Sequence, residues 1–225
     1  MATLSVKWPS HLKETKKLKE LQTLLSKKVK ILPLKSQPSF IAGVDCAFLK
    51  DSIVSAASLF TFPDIKPVED VWSIRKNRFP YIPGLLSFRE GPAVISALRK
   101  LKKKPDLVIF DGAGIAHPRF LGIASHVGIA LDIPSIGCAK SRLIGVFKEP
   151  GGIKGEWSRL VYKGRTVGCV LRTRDNVKPV FISPGHRINT DDSIRIILKC
   201  LKNYRLPEPV RRADMLTKKI KKEIE

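Results

Sequence analysis

Apolar and polar positions alternate along this chain in a way that divides it into short elements. Between His11 and Lys30, Leu12, Leu18, Leu21, Leu24, Leu25 and Val29 recur at roughly helical spacing among lysines, which predicts a helix that docks by its leucines and keeps a solvated basic face. Pro33 and Pro38 break the pattern. Ser39–Asp45, Ile53–Phe62 and Val68–Arg75 then read as three strands joined by turns at Lys50-Asp51 and Pro63-Asp64, an antiparallel meander. Pro80 to Ser87 reads as a loop around Pro83-Gly84. Phe88–Leu101 reads as a helix on Val94, Ile95, Leu98 and Leu101, with basic residues at the end that suits the helix dipole.

Asp106–Asp111 is a short continuous apolar run, suited to a strand covered on both faces, and Ser135–Ala139 is another. With a helix over Arg119–Leu131 between them, they imply a right-handed parallel crossover. Arg159–Tyr162, Thr166–Leu171 and Val180–Ser183 are further short strands, followed by a helix over Asp191–Asn203. A last helix is entered through Pro207 and Pro209 and has a strongly basic second half. Neither a repeat nor a linker interrupts the series. The expectation is a single α/β domain over residues 1–225, a mixed sheet of antiparallel meander and parallel crossover strands flanked by helices.

Composition narrows the partners. Lys and Arg number 42 against 20 Asp and Glu, a formal charge of +22, which is far too basic for an ordinary metabolic enzyme. With 43% hydrophobic residues the chain builds a real core, so a disordered basic tail is excluded. Such a surplus predicts binding to a polyanion, nucleic acid first and an anionic membrane second. The membrane reading lacks an aromatic face on the N-terminal helix. No apolar run is long enough to span a bilayer, and the N-terminus lacks a signal peptide's apolar segment, so a cytoplasmic, soluble protein is expected. Cys46, Cys138, Cys169 and Cys200 show no zinc-module spacing and read as reduced core thiols.

Candidate chemistry gathers at strand ends. Asp45 ends one strand and Asp111 another; side by side in a sheet, both carboxylates would emerge at the edge where open α/β sheets carry their sites. Either alone could be a turn former. Glu90, near the start of the next helix, could join them or simply favour the helix N-terminus. A cationic chain that gathers carboxylates fits a metal-dependent nuclease, because hard divalent ions neutralise the cluster and stabilise phosphodiester hydrolysis. Lys140, just beyond Ala139, could set an ammonium on the phosphate, or be one more solvated lysine. Asp111-Gly112-Ala113-Gly114 followed by His117 and Pro118 fails the dinucleotide fingerprint at its third glycine. Ser183-Pro-Gly-His186 lacks a hydrolase elbow, and His126 reads as a hydrogen-bonded structural residue. The loop Pro80-Tyr81-Ile82-Pro83 is either packed surface or a stiff aromatic tip able to enter a base stack.

Taken together, Tyr81-Ile-Pro-Gly-Leu-Leu-Ser-Phe-Arg-Glu90, Asp111-Gly-Ala-Gly-Ile-Ala-His-Pro-Arg119 with Gly122, Ala124, His126 and Gly128, Cys138-Ala-Lys-Ser141, Ser183-Pro-Gly-His-Arg187 and Leu206-Pro-Glu-Pro-Val-Arg-Arg-Ala-Asp214 resemble the endonuclease V family. The resemblance implies a ribonuclease H-like fold and a Mg2+-dependent endonuclease, with Mn2+ as substitute, that recognises deoxyinosine in DNA. It further implies cleavage of the second phosphodiester 3′ to the lesion, leaving 3′-hydroxyl and 5′-phosphate ends. By the same resemblance Asp45, Glu90 and Asp111 are metal carboxylates, Lys140 is the catalytic lysine and Asp214 a further acidic residue. Pro80, Tyr81, Ile82 and Pro83 form the strand-separating wedge, and Gly84, Leu85, Gly112 and Ile115 lie near the base. The alternatives are an endonuclease for inosine in RNA and a non-catalytic basic nucleic-acid binder. A monomer is expected.

Overall fold

The structure, a computed structural model, describes residues 15–77 and 79–225. The predicted N-terminal helix is α1 (Thr15–Ser26); the part of that expectation before residue 15 lies outside the described residues. The meander follows as β1 (Phe40–Phe48), β2 (Ser52–Thr61) and β3 (Pro67–Lys76), then α2 (Leu86–Leu98), β4 (Leu107–Phe110), α3 (Ile123–Leu131) and β5 (Ser135–Ala139). The chain finishes with β6 (Trp157–Tyr162), β7 (Arg165–Leu171), β8 (Val180–His186), α4 (Thr190–Lys199) and α5 (Glu208–Ile224).

One eight-stranded sheet in the order β3-β2-β1-β4-β5-β8-β7-β6 organises these elements. β1, β2 and β3 pair antiparallel, β1 with β4 and β4 with β5 pair parallel, and β8, β7 and β6 complete the sheet antiparallel. Side chains alternate between the two faces of each strand, and the two cores follow that alternation. Ala42, Val44, Leu59, Val108 and Phe110 pack with Val94 and Leu98 of α2 and Val127 of α3. Ile41, Phe60, Leu107, Ile109 and Ile136 pack on the opposite face with Ile196 and Ile197 of α4 and Val210 of α5. Leu18 of α1 completes a smaller cluster with Leu85 and Phe88.

The depth at which α5 lies is set by Gly43. A Cβ at this position would run into the Pro209 carbonyl carbon, so only glycine lets the helix start settle on β1. Arg212 fixes the helix sideways, its Nε 2.9 Å from both Asp70 carboxylate oxygens on β3.

β8 runs three residues past the expected Ser183, α4 ends at Lys199 rather than Asn203, and α2 spans Leu86–Leu98 rather than Phe88–Leu101; two further differences lie at the site. β1 runs three residues past Asp45, because the pairing with β2 continues to Phe48↔Ile53. The helix expected from Arg119 starts only at Ile123, since residues 113–122 form a compact loop in which the Gly122 and Ala124 amides bond to the Gly114 and Ala113 carbonyls.

Candidate active site

The register of the sheet creates the site. Val44 pairs with Phe110 across the parallel β1–β4 contact, and the Asp111 amide donates to the Val44 carbonyl at 3.2 Å, so Asp45 and Asp111 are neighbours. Val44 and Phe110 belong to the core on the α2 and α3 side, which turns the next residue of each chain toward α5. There α5 supplies Asp214: carboxylate oxygens of Asp45, Asp111 and Asp214 lie within 4.8 Å of one another.

Glu90 comes from α2, on the other side of the sheet, and is 7% exposed. It is not part of the compact triad, yet its pKa is raised to about 8, first by burial and then by the charges of Asp45 and Asp111. Burial also raises Asp45 to about 6, helped by Asp111 and opposed by a hydrogen bond from Thr217. Lys140 sets an ammonium 2.5 Å from Asp111 and 3.5 Å from Asp214. Burial pulls its pKa down, but the hydrogen bond and charge of Asp111, with Asp214 and Asp45, outweigh this and leave it raised. Lys218 holds the other Asp214 oxygen at 2.6 Å.

Carboxylates crowded to this degree resist ionisation together unless a cation neutralises them. All the donors are hard oxygens, which suits Mg2+ or Mn2+ far better than a soft ion. The donor set therefore fits a divalent metal held by Asp45, Asp111 and Asp214 with Glu90 alongside.

The proline-flanked loop leads into α2, which carries Glu90. Ile82 and Phe79 pack against the cluster of Leu18, Leu85 and Phe88, while Tyr81 remains 66% exposed. The loop is thus anchored at its base and exposed at its tip, where the Arg89 guanidinium lies 6.0 Å from the centre of the Tyr81 ring. Gly84, at φ +77, ends it in a left-handed conformation that favours glycine. Its carbonyl accepts from three side chains: Gln22 Nε2 at 3.0 Å, Arg119 Nη2 at 2.6 Å and His117 Nε2 at 3.1 Å. Burial and the Arg119 charge lower His117 to about 4, so it sits as the neutral donor. Gln22 Oε1 accepts from Arg119 Nε at 2.5 Å and closes the network.

A family model for endonuclease V matches residues 23–215. The chain belongs to the endonuclease V family. The endonuclease V of Dictyoglomus turgidum is 50% identical over 95% of this chain and 92% of its own length. A crystal structure of the Streptomyces avermitilis endonuclease V superposes with a TM-score of 0.90 at 36% identity, covering 97% of this chain and 96% of that one. The Ciona intestinalis endonuclease V, solved with a DNA containing an inosine followed by a ribo-adenosine, superposes at 0.83 with 28% identity over 93% of this chain and 98% of that one. The ribonuclease H-like fold implied by the sequence is the fold observed.

In this member of the endonuclease V family the other candidate residues have defined partners. Leu85 is fully buried in the cluster with Leu18, and its amide donates to the Ile82 carbonyl. Gly112, at φ +147, and Ile115, half-buried against the cluster of Ala116 and Leu160, lie in the loop whose His117 reaches Gly84. His126 is buried, 3.0 Å from the Ser87 hydroxyl, in the structural role expected. Ser183 and His186 are inside β8; Ser183 accepts from the Gly114 amide and His186 from the Lys30 amide, so both are structural. All four cysteines are unpaired, three of them buried.

Two site residues escaped the sequence. Thr217 on α5 donates to Asp45 Oδ2 at 3.0 Å, and Gln22 on α1 anchors the Gly84 carbonyl. Both occupy apolar faces, Gln22 between Leu18 and Leu25 and Thr217 between Ala213 and Ile220. A buried polar residue in such a stripe needs a partner, and that was the available signal.

Proposed function

We propose that this chain is a divalent-metal-dependent endonuclease that nicks DNA at deoxyinosine, cutting the second phosphodiester on the 3′ side and leaving 3′-hydroxyl and 5′-phosphate ends. The observation that carries the metal-dependent part is the cluster of Asp45, Asp111 and Asp214 on a chain of this family. The inosine part is supported by the Ciona relative, whose bound DNA contains that base.

Asp45, Asp111 and Asp214, with Glu90, would hold Mg2+, or Mn2+ in its stead. Bound there, the ion would make an attacking water more acidic and would stabilise negative charge at the phosphate. Lys140, protonated beside Asp111, offers a second positive charge to the oxyanion that develops as the P–O bond breaks. Tyr81, between Pro80 and Pro83 and backed by Ile82, fills the gap left by a nucleotide turned out of the stack. Of the four residues expected near the base, the Leu85 and Ile115 amides are taken by the Ile82 and Pro184 carbonyls, so Gly84 and Gly112 would offer their backbone to the displaced base, with Leu85 and Ile115 behind them. A backbone N–H offered to the hypoxanthine carbonyl would meet the adenine amino group donor against donor, which rejects the undamaged base. The protein acts as a monomer in the cytoplasm, where unpaired cysteines persist.

The test is one end-labelled duplex with a central deoxyinosine, incubated with and without Mg2+ beside an adenine control, with the product ends mapped at nucleotide resolution. Nicking confined to the inosine strand and to metal is expected. Asp45→Asn or Asp111→Asn should lower the rate on the order of 10³-fold while the duplex is still bound. Wild type that leaves the inosine duplex intact with either metal overturns the proposal. The same sequence made as RNA forms a second arm, because the Ciona complex carries a ribo-adenosine after the inosine; faster cutting of the RNA would make the chain an endoribonuclease.

A further inference from the structure

A polar cavity of about 500 Å³ opens at the foot of the Tyr81 loop. Its walls come from three separate segments: Lys50 and Asp51 in the β1–β2 turn, Lys76 and Asn77 at the end of β3, and Pro80 with Arg89 of α2. Lys50, Lys76 and Arg89 face one carboxylate, Asp51. Among the described residues none of the three cations has an ion-pair partner. The Arg89 guanidinium is held 4.0 Å from the centre of the Phe48 ring, and its Nε is buried with no hydrogen-bond partner. Three cations facing one carboxylate, one of them a guanidinium with an unmatched N–H, make an anion-binding arrangement.

We propose that this cavity is a backbone subsite that takes a phosphodiester of the nucleic acid being cut. Arg89 is the fixed element, because the Phe48 face immobilises its guanidinium plane before any ligand arrives. Lys50 and Lys76 close over the phosphate from the two turns. Phe48 lies three residues beyond Asp45 along β1, about 10 Å at 3.3 Å per residue. An offset of three residues also turns Phe48 to the α2 face of the sheet, opposite the triad and on the side from which Glu90 comes, so the subsite engages a phosphate outside the bond that reacts. Register would then be measured between two fixed points, the carboxylates and this cavity, with the Tyr81 tip close by.

The inference rests on the reading of the chain as a nuclease, and the test separates the two. Wild type, Arg89→Gln and the double variant Lys50→Gln/Lys76→Gln are titrated in chelator against the labelled deoxyinosine duplex and against duplexes in which one phosphate at a time is a neutral methylphosphonate. Melting curves establish that each variant is folded; the double variant, with one change in the β1–β2 turn and one at the last residue of β3, serves if Arg89→Gln is not. Wild type should lose roughly tenfold in affinity at one phosphate position, the equivalent of a charged hydrogen bond of about 1.5 kcal/mol. The variants should bind the native duplex about tenfold more weakly and be indifferent to neutralisation at that position. Their dependence of log K on log salt should be shallower by about 0.7–0.9 for each phosphate that is no longer neutralised. Wild type with no sensitive position, or variants that keep the wild-type sensitivity pattern, would overturn the subsite. If wild type shows the pattern but never nicks at inosine, the functional reading fails and the subsite stands.

Discussion

Thr217 shows how much of the site depends on a single hydroxyl. It donates to Asp45 at 3.0 Å and also reaches the Asp214 carbonyl at 2.9 Å, so it touches two of the three acidic residues at once. Without it Asp45 can swing on its strand, and the distance to Asp111 is no longer fixed. Thr217→Val preserves shape and should leave the melting temperature almost unchanged, but steady-state nicking of the inosine duplex should fall about tenfold, the worth of one hydrogen bond to a charged group. Thr217→Ser should restore most of the rate. A valine variant as active as wild type would make Thr217 a packing residue only.

At the level of elements, the decisive contact is α5 on β1. Gly43→Ala would push a methyl into the Pro209 backbone, which cannot rotate away, and overpacking of this kind costs about 1–3 kcal/mol. Thermal unfolding should shift down by about 2–4 °C per kcal/mol for a chain of this size. Because α5 carries Asp214 and Thr217, nicking at a temperature where the variant is still folded should fall as well; unchanged activity would mean that the helix position does not matter to the site. Much of the element order was legible in the sequence, since period-two and period-3.6 patterns are local. The meander, the crossover strands Leu107–Phe110 and Ser135–Ala139 and the last helix all follow from it. Asp45 and Asp111 could be paired because both mark the end of apolar runs. Thr217 could not, because its partner is 172 positions away and local periodicity carries no information about which helix lies over which strand. The same holds for the loop before α3, where a helical pattern from Arg119 gives way to close backbone contacts at Gly114 and Gly122.

For the whole molecule, buried ionisable groups of opposite sense set the response to pH. Glu90 and Asp45, raised to about 8 and about 6, bind protons more readily folded than unfolded; their contribution is complete at low pH and is lost as pH rises through those values. His126 and His117, lowered to about 3 and about 4, do the reverse: their contribution is complete above the unfolded value of 6.5 and is lost as pH falls toward the folded ones. Because the two trends oppose one another, stability of the metal-free protein should peak between the folded values of the histidines and that of Glu90, measured by melting temperature across pH in chelator. Glu90→Gln should move that peak to higher pH, and a peak that does not move would refute the assignment. On a larger scale still, the Gly84 carbonyl with its three claimants, Gln22, Arg119 and His117, behaves as a locked latch at the root of the protruding tyrosine. In the proposed wedge role, a tip mounted so rigidly would not bend to suit an intact double helix; the compliance would have to come from the DNA, and weakly stacked or mispaired steps would yield to it most readily.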